Sequence, residues 1–336
     1  MRYRAQKSLI YGLEVILRFF CKMGTRLIVA AFLFYGTGPT LGIVLHPDGE
    51  PNLTTWTDRP DPNVVGRWSS NASCVAVSSN CIITTRHQGG STGTAVDIGG
   101  DTYTVTAIWN HSTADIRIAK LYGANLTDFV GPYEDTNEVD KETVMGGFGK
   151  GRGSPLTNGD GTYGYSWSGS NNQTQRWGQN KLDGTGTASD SYTSYVITAD
   201  FNGPNEPCVP PYESAIAEWD SGGGWFIHYG GKWKVAGLSR GVQHLGESWF
   251  SPPDSIDAVR ISSYATWISQ TIPERVQGDL TGDDCVDFSD IAVSASYWQD
   301  TGCEYPDWCA GADSEPDGDV DWADLAYLVD NWLNCG

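Results

Sequence analysis

From Gly278 to Gly336 the chain carries 15 Asp or Glu and not a single Lys or Arg. Three quarters of a net charge of −20 therefore sits in the last 59 residues, a density of like charge that a shared core would have to desolvate. The break marks a second module with its own means of neutralising charge. That module repeats internally with period 34. Asp279-Leu-Thr-Gly-Asp-Asp-Cys-Val-Asp-Phe-Ser-Asp290 and Asp313-Ser-Glu-Pro-Asp-Gly-Asp-Val-Asp-Trp-Ala-Asp324 superpose position for position, and Trp298 and Trp332 each fall 19 residues after the first aspartate of their loop. Acidic residues at loop positions 1, 5, 9 and 12, with a main-chain carbonyl at 7, are what a roughly seven-coordinate, oxygen-seeking calcium ion requires. The candidate ligands are Asp279, Thr281, Asp283, Cys285, Asp287 and Asp290, then Asp313, Glu315, Asp317, Asp319, Asp321 and Asp324. After each loop, Ile291, Ala295 and Trp298, and Leu325, Leu328, Val329 and Trp332, mark an apolar helical face. Pro273 with Gly278, and Pro306 with Gly311, stop any helix from entering either loop.

The other end is also set apart. Arg2, Arg4, Lys7, Arg18, Lys22 and Arg26 precede the apolar run Leu27–Tyr35 and then the small residues Gly36, Gly38 and Gly42. This is the pattern of a secretory leader, too short to be a transmembrane anchor. Met23 is an alternative start. The expected organisation is a leader over 1–42, a main domain over 43–272, a linker over 273–278 and the acidic module over 279–336. Acidity on this scale repels a phosphate backbone, which excludes a nucleic-acid partner. In an exported chain disulfides persist. Removing the leader's Cys21 leaves Cys74, Cys81, Cys208, Cys285, Cys303, Cys309 and Cys335, of which four lie in the acidic module with three possible pairings. No C-x-x-C spacing suggests zinc.

The main domain reads as short strands: Cys81–Thr85, Tyr103–Ile108, Asp115–Leu121, Ser194–Thr198 and Trp225–Tyr229. Gly230-Gly231 before Trp233–Leu238 is a hairpin turn, because primed turns need positive φ. The Gly-, Ser- and Asn-rich region from Gly146 to Asp190 reads as long surface loops. Three segments carry chemistry. Ile82-Ile-Thr-Thr-Arg-His87 delivers a histidine at the end of a strand, Ala114-Asp-Ile-Arg-Ile-Ala-Lys-Leu121 is a strand headed by an aspartate, and Asp220-Ser-Gly-Gly-Gly224 presents a serine on a tight turn. Acyl transfer needs a hydroxyl nucleophile, a neutral imidazole beside it and a buried carboxylate to fix the imidazole tautomer. His87, Asp115 and Ser221 supply one of each.

With these motifs in the order His, Asp, Ser, the chain resembles the trypsin/chymotrypsin family of serine endopeptidases over about Ile43 to Ile272. Thr84-Thr-Arg-His87 is similar to that family's Thr-Ala-Ala-His, Asp115–Leu121 to its Asp-Ile-x-Leu-x-x-Leu strand, Trp219-Asp-Ser-Gly-Gly223 to its Gly-Asp-Ser-Gly-Gly, and Gly237-Leu-Ser-Arg-Gly241 to its Ser-Trp-Gly strand. Ser263–Ile272 is similar to its closing helix. The resemblance implies a mainly β fold of two six-stranded antiparallel barrels and a protein or peptide substrate. It also implies an oxyanion hole from the N–H groups of Trp219 and Ser221 and substrate-binding roles for Ala215, Ser239 and Gly241. Ala215 falls at the expected floor of the specificity pocket, which argues for cleavage after uncharged apolar residues.

Three departures qualify the match. Trp219 stands where the family has glycine, and a position that needs positive φ resists a bulky side chain. Gln88 replaces a cysteine, which leaves Cys74 and Cys81 to pair with each other. Ile43-Val44 directly after Gly42 reads either as a processed N-terminus that pairs with Asp220 or as the plain start of a strand. Loop plus exit helix, twice, resembles a type I dockerin, a small α-helical calcium module that docks cohesin domains. Phe288-Ser289 and Trp322-Ala323 stand where a Ser-Thr pair is common. The expectation is a secreted serine endopeptidase with a dockerin-like calcium module and a cohesin-like partner. The alternative is a non-catalytic binding protein on the same fold, anchored by its tail.

Overall fold

The computed structural model describes residues 43–45, 56–168, 174–204, 206, 209–250, 254–273, 276–283, 285–303, 308–315 and 317–335. The leader, Cys21, Cys208, Asp284 and Pro306 lie outside the described residues. In chain order the strands are β1 (Val44–Leu45), β2 (Val65–Trp68), β3 (Ala72–Ala76), β4 (Cys81–Thr84), β5 (Ala95–Ile98), β6 (Asp101–Asn110), β7 (Arg117–Leu121), β8 (Glu142–Gly147) and β9 (Gly151–Asn158). They continue with β10 (Gly161–Ser168), β11 (Arg176–Lys181), β12 (Gly184–Ser189), β13 (Thr193–Ala199), β14 (Ser214–Ala215), β15 (Gly224–Tyr229), β16 (Lys232–Val242), β17 (Glu247–Trp249) and β18 (Ile256–Arg260). The helices α1 (Ala265–Thr271), α2 (Phe288–Ser296) and α3 (Trp322–Asp330) follow.

The chain is mainly β, and its first half closes a six-stranded barrel in the order β2-β3-β4-β7-β6-β5. Residues of β4 and β7 point alternately to two apolar environments, which is why these strands read as continuous hydrophobic runs. Ile82, Ala119 and Leu121 fill the barrel with Trp68, Cys74, Val96 and Val105. Ile83, Ile116 and Ile118 instead join a larger cluster with Val144, Trp177, Phe226, Val235, Leu238 and Val259. That second set comes from a seven-stranded sheet ordered β11-β8-β15-β16-β18-β13-β12. The other face of the sheet buries Met145, Ile197, Trp225, Ile227 and Ala258 against Ile43, Val44 and Phe250. Barrel and sheet therefore share one apolar layer, and helix α1 adds Ile268 to it.

Two expectations change here. Where a second six-stranded barrel was expected, the described residues form an open seven-stranded sheet, with β9, β10 and β17 in a three-stranded sheet of their own. The sheet ends at β12, whose Gly-Thr-Gly-Thr-Ala-Ser sequence is mostly exposed and has no apolar face to bury against another strand. The region read as loops from Gly146 to Asp190 contains β9 to β12. Its strands are polar and glycine-rich, with register shifts at Thr162/Gly164 and Tyr165/Trp167, so no alternation of two betrays them. The Gly230-Gly231 turn has φ of 61° and 80°, as the primed type requires.

Cys74 and Cys81 are buried and form no disulfide with each other, against the expected bridge. Cys74 belongs to the barrel interior and Cys81 to the layer shared with the sheet, so the two thiols face different cores. In the acidic segment the pairings are Cys285 with Cys335 and Cys303 with Cys309. Both of its helices begin with reciprocal capping boxes, Asp287 with Asp290 and Asp321 with Asp324. Leu280, Val286, Cys303, Ala312, Val320 and Leu328 make its core. The apolar helical face is narrower than its sequence suggests, since Ala295 and Val329 are exposed. No helix among the described residues is long and apolar enough to cross a membrane.

A buried carboxyl under the seven-stranded sheet gives the fold a pH signature. Glu213 is fully buried; its Oε1 accepts the Asn202 N–H at 3.0 Å, and its Oε2 meets no partner among the described residues. Burial, with Asp200 and Asp183 adding repulsion, pushes its pKa up to about 8. The folded state thus holds a proton that the unfolded chain releases near pH 4.3, taking about that value for a free Glu. The stability from this group is complete below that pH and is lost as pH rises through about 8. Glu213→Gln keeps the accepting oxygen and has no such titration. Urea unfolding of both proteins from pH 4 to 9 is expected to show the native chain losing stability relative to the variant as pH rises; a constant difference would refute it.

Candidate active site

The end of β4 is fixed first. Thr84 Oγ1 donates to the Ser73 carbonyl at 2.7 Å, and the chain then turns through Thr85 and Arg86 to place His87 at the cleft. Asp115 stands just before β7, only 1% exposed. Its Oδ1 accepts the N–H groups of Arg86 and His87 at 2.8 and 2.9 Å, and its Oδ2 lies 2.5 Å from His87 Nδ1. Burial pushes this carboxyl upward, but the hydrogen bond and charge of His87 and the two N–H donors outweigh it, leaving the pKa below the ordinary aspartate value. An ionised carboxylate only accepts, so the imidazole proton sits on Nδ1 and the Nε2 lone pair is left facing outward. Ser221 Oγ lies 3.0 Å from Nε2. The structure brings the three residues of the sequence motif together, two from the barrel and one from the turn before β15.

Hydrogen bonds from the barrel shape the serine turn. Ser73 N–H donates to the Ser221 carbonyl at 2.8 Å, and Ser73 Oγ donates to the Trp219 carbonyl at 3.1 Å. Gly222 has φ of 84°, and a Cβ there would stand 2.2 Å from the Ser73 carbonyl oxygen, so no other residue fits. Behind the turn Asp220 is fully buried and accepts from Gly149 N–H at 2.6 Å and Ala217 N–H at 2.9 Å. Burial pushes its pKa up to about 7. Ile43 is buried and bridges to Gly151.

Trp219 has φ of 76°, the left-handed region, at a strain of about 1–2 kcal/mol. The Glu218 carbonyl accepts Lys150 N–H at 2.8 Å. In a trans peptide the N–H of Trp219 then points the other way. The Lys150 ammonium bonds Glu218 Oε2 at 2.5 Å and lies 4.9 Å from the centre of the Trp219 ring. Neither Trp219 N–H nor Ser221 N–H donates a hydrogen bond among the described residues.

These groups open onto a cleft of about 450 Å³ lined by His87, Ser221, Ile216, Ala217, Trp219 and Arg240 among others. Of the three substrate-binding candidates, Gly241 lines it. Ala215 and Ser239 do not: Ala215 is paired with Val44 beneath the cleft, and Ser239 Oγ accepts the Trp225 indole N–H at 3.0 Å. His244 bonds Asp254 at 3.0 Å and stacks on Trp249. The sequence reading misses Ser73, Lys150 and Arg240. Only Arg240 left a signal, as a charge between Ser239 and Gly241 just after the apolar run Val235–Leu238.

The calcium-ligand candidates lie in the two loops of the acidic segment, with Asp279, Asp290, Asp313 and Asp324 buried. Asp290 accepts the N–H groups of Leu280, Thr281 and Asp287, and Asp324 those of Ser314, Glu315 and Asp321. Gly282 and Gly318 N–H donate to Asp279 and Asp313. Asp283 and Asp317 accept from Cys285 and Asp319 N–H. Among the described residues no three His, Cys, Asp or Glu side chains group as a metal site.

No known family model matches the chain, and no curated protein matches it. Among solved structures it is similar to the inactive form of the Rv3671c protease, with 13% identity, 63% of this chain and 90% of that chain covered, and a TM-score of 0.43. A mutant inactive form of Rv3671c from M. tuberculosis H37Rv matches at 13% identity over 64% of this chain and 97% of that one, with a TM-score of 0.42. Neuropsin, a serine protease expressed in the limbic system of mouse brain, matches at 16% identity over 63% and 96%, with a TM-score of 0.45.

One contact bears on reactivity. Gln88 Nε2 lies 2.5 Å from His87 Nε2, so the amide and the Ser221 hydroxyl share a single lone pair. Gln88→Ala is expected to raise the rate at which an electrophile acylates Ser221 several-fold. An unchanged or lower rate would show that the amide does not compete.

Proposed function

We propose that the chain is a serine endopeptidase acting through His87, Asp115 and Ser221. The observation that carries this reading is that His87 spans a buried carboxylate at 2.5 Å and a serine hydroxyl at 3.0 Å. Ser221 Oγ attacks the peptide carbonyl while its proton passes to His87 Nε2. Asp115 keeps the imidazole in the right tautomer and stabilises the imidazolium that forms. The N–H groups of Trp219 and Ser221 donate to the oxyanion. His87 then protonates the leaving amine, and water repeats the sequence on the acyl-enzyme. Ile216, Ala217 and Gly241 in the cleft wall suit an uncharged, medium or large apolar side chain before the scissile bond. Disulfides in the acidic segment fit an exported protein. A fluorophosphonate probe is expected to label Ser221, with labelling lost in Ser221→Ala and reduced at least about 10³-fold in His87→Ala. A folded chain that stays unlabelled would instead favour the non-catalytic binding protein.

The acidic segment we read as a dockerin-like calcium module that serves for anchoring to a cohesin-like partner or for stability. The side-chain donors are all oxygen, and the residues that would hold the ions are Asp279, Thr281, Asp283, Asp287 and Asp290 with the Cys285 carbonyl, and Asp313, Glu315, Asp317, Asp321 and Asp324 with the Asp319 carbonyl. Burial raises the pKa of Asp313, Gly318 and Asp317 N–H groups oppose this, and the Asp324 and Asp317 carboxylates raise it again. A divalent cation relieves that repulsion. Saturating calcium at about 100 times its dissociation constant would add roughly 2.7 kcal/mol per site. Calorimetry on the full chain with disulfides intact is expected to show two calcium events and a higher unfolding temperature. No binding heat would remove the calcium reading.

A further inference from the structure

Arg240 is the one cation among the residues lining the cleft, and it is buried there, its side chain 8% exposed. Its guanidinium is held on two sides: Nη1 donates to both Asp257 carboxylate oxygens at 3.0 and 3.2 Å, and Nη2 donates to Asp190. The third side faces the active site. Nε is buried without a hydrogen-bond partner and lies 4.0 Å from Asp115 Oδ2, the oxygen that bonds His87. With its side chain only 8% exposed, the guanidinium is largely shielded from water, so its charge acts at close range with little screening.

We propose that Arg240 is a positioning residue for the His87–Asp115 pair: its guanidinium, with Nε turned toward Asp115 Oδ2, is a fixed charge beside the pair that opposes a further proton on it and so sets the pH at which the pair works. The inference rests on the serine-hydrolase reading of the cleft. The other groups facing the pair are accounted for. Arg86 donates its N–H to Asp115 and points its guanidinium to the His111 and Ala114 carbonyls and over the Tyr192 ring. Arg117 donates to the Gly89, Gly90 and Arg86 carbonyls. Gln88 is neutral, and the His111 ring packs on Tyr264 and Trp267. Arg240 differs from Arg86 and Arg117 in that its charge is shared with two further carboxylates, Asp257 half-buried and Asp190 62% exposed.

That arrangement fixes the signs. Removing Arg240 takes a cation from beside Asp115 and leaves Asp257 and Asp190 unpaired. Both changes favour a proton on His87, so the acid limb of kcat/KM moves up, by about half to one pH unit. Removing the charge of Asp257 while Arg240 stays frees the guanidinium to act on the pair, and the limb moves down. Asp190 is mostly in solvent, so its loss moves the limb little.

The test measures the pH profile of acylation by a fluorophosphonate in the native chain, Arg240→Gln, Arg240→Lys, Asp257→Asn and Asp190→Asn. The His87 ring titration is followed by NMR in the same variants on a Ser221→Ala background. Expected are opposite shifts for Arg240→Gln and Asp257→Asn, with Arg240→Lys close to native. A merely structural Arg240 would lower rates without moving the midpoint, and equal midpoints in all variants overturn the proposal. Should Arg240→Gln fail to fold, the Asp257→Asn shift decides. Because the NMR titration needs no turnover, a chain that resists the probe overturns the hydrolase reading, while the Arg240 charge effect is judged on the ring titration alone.

Discussion

The apolar layer between barrel and seven-stranded sheet is the constraint from which the site follows. Ile83, Ile116 and Ile118 on one side and Phe226, Leu238 and Val259 on the other are all but sealed from solvent, and each such side chain contributes on the order of 1.5–3 kcal/mol when fully buried. His87 and Asp115 continue the barrel strands that enter this layer; Ser221 precedes the sheet strand that meets them. Packed interiors are dense and deform little, so the layer sets the 3.0 Å between His87 Nε2 and Ser221 Oγ more firmly than that hydrogen bond could set itself. The bonds from Ser73 to Ser221 and Trp219 cross the same boundary and add direction to what packing supplies in distance.

The ionisable groups at the edge of the layer arrive with partners. Asp115 arrives with two N–H donors and an imidazole, Asp220 with two N–H donors, and Arg240 with carboxylates on two sides. A buried charge stripped of partners would be costly enough to unfold a marginal domain or to titrate away. Asp220 lies near that limit, its pKa pushed to about 7 by burial against the opposing Ala217 and Gly149 N–H donors and the charge of Arg176. The polar groups of the site are thus compensated exceptions within a hydrophobic seam.

How much of this was legible follows from the same physics. The strands that feed the layer announce themselves, because burial on both faces demands runs such as Cys81-Ile-Ile-Thr84. The grouping at their ends was legible too: the imidazole, carboxylate and hydroxyl singled out from the sequence lie within hydrogen-bonding distance in series, Asp115 to His87 to Ser221. Strands β9 to β12 were not legible, since Gly-Arg-Gly-Ser-Pro-Leu-Thr-Asn in β9 carries its order in hydrogen bonds and not in side chains. The lining of the cleft differs by a residue or two from the count back from Ser221, because that count assumes a fixed loop path. The pairing of β14 with β1 instead puts Ala215 beneath the cleft and leaves Ile216 and Ala217 in it. Arg240 stayed hidden in plain view, for its meaning lies in Asp115, Asp190 and Asp257, which are remote from it in sequence or separated from it by a strand crossing.

Trp219 illustrates how such a departure can be sustained. A tryptophan at φ of 76° is opposed by about 1–2 kcal/mol of steric strain, and an isolated turn would relax by rotating the peptide and withdrawing the N–H. Here the preceding carbonyl is bonded to Lys150 N–H and its own carbonyl to Ser73 Oγ, each worth about 0.5–1.5 kcal/mol. The ammonium over the indole ring adds about 0.5–1 kcal/mol at a partly exposed site. Together these match or exceed the strain, and rotating the Glu218–Trp219 peptide would break the bond between the Glu218 carbonyl and Lys150 N–H. The bulky residue is therefore locked in place by interactions on either side of it. In this conformation neither the Trp219 N–H nor the Ser221 N–H donates a hydrogen bond among the described residues, which leaves both donors open to an acceptor.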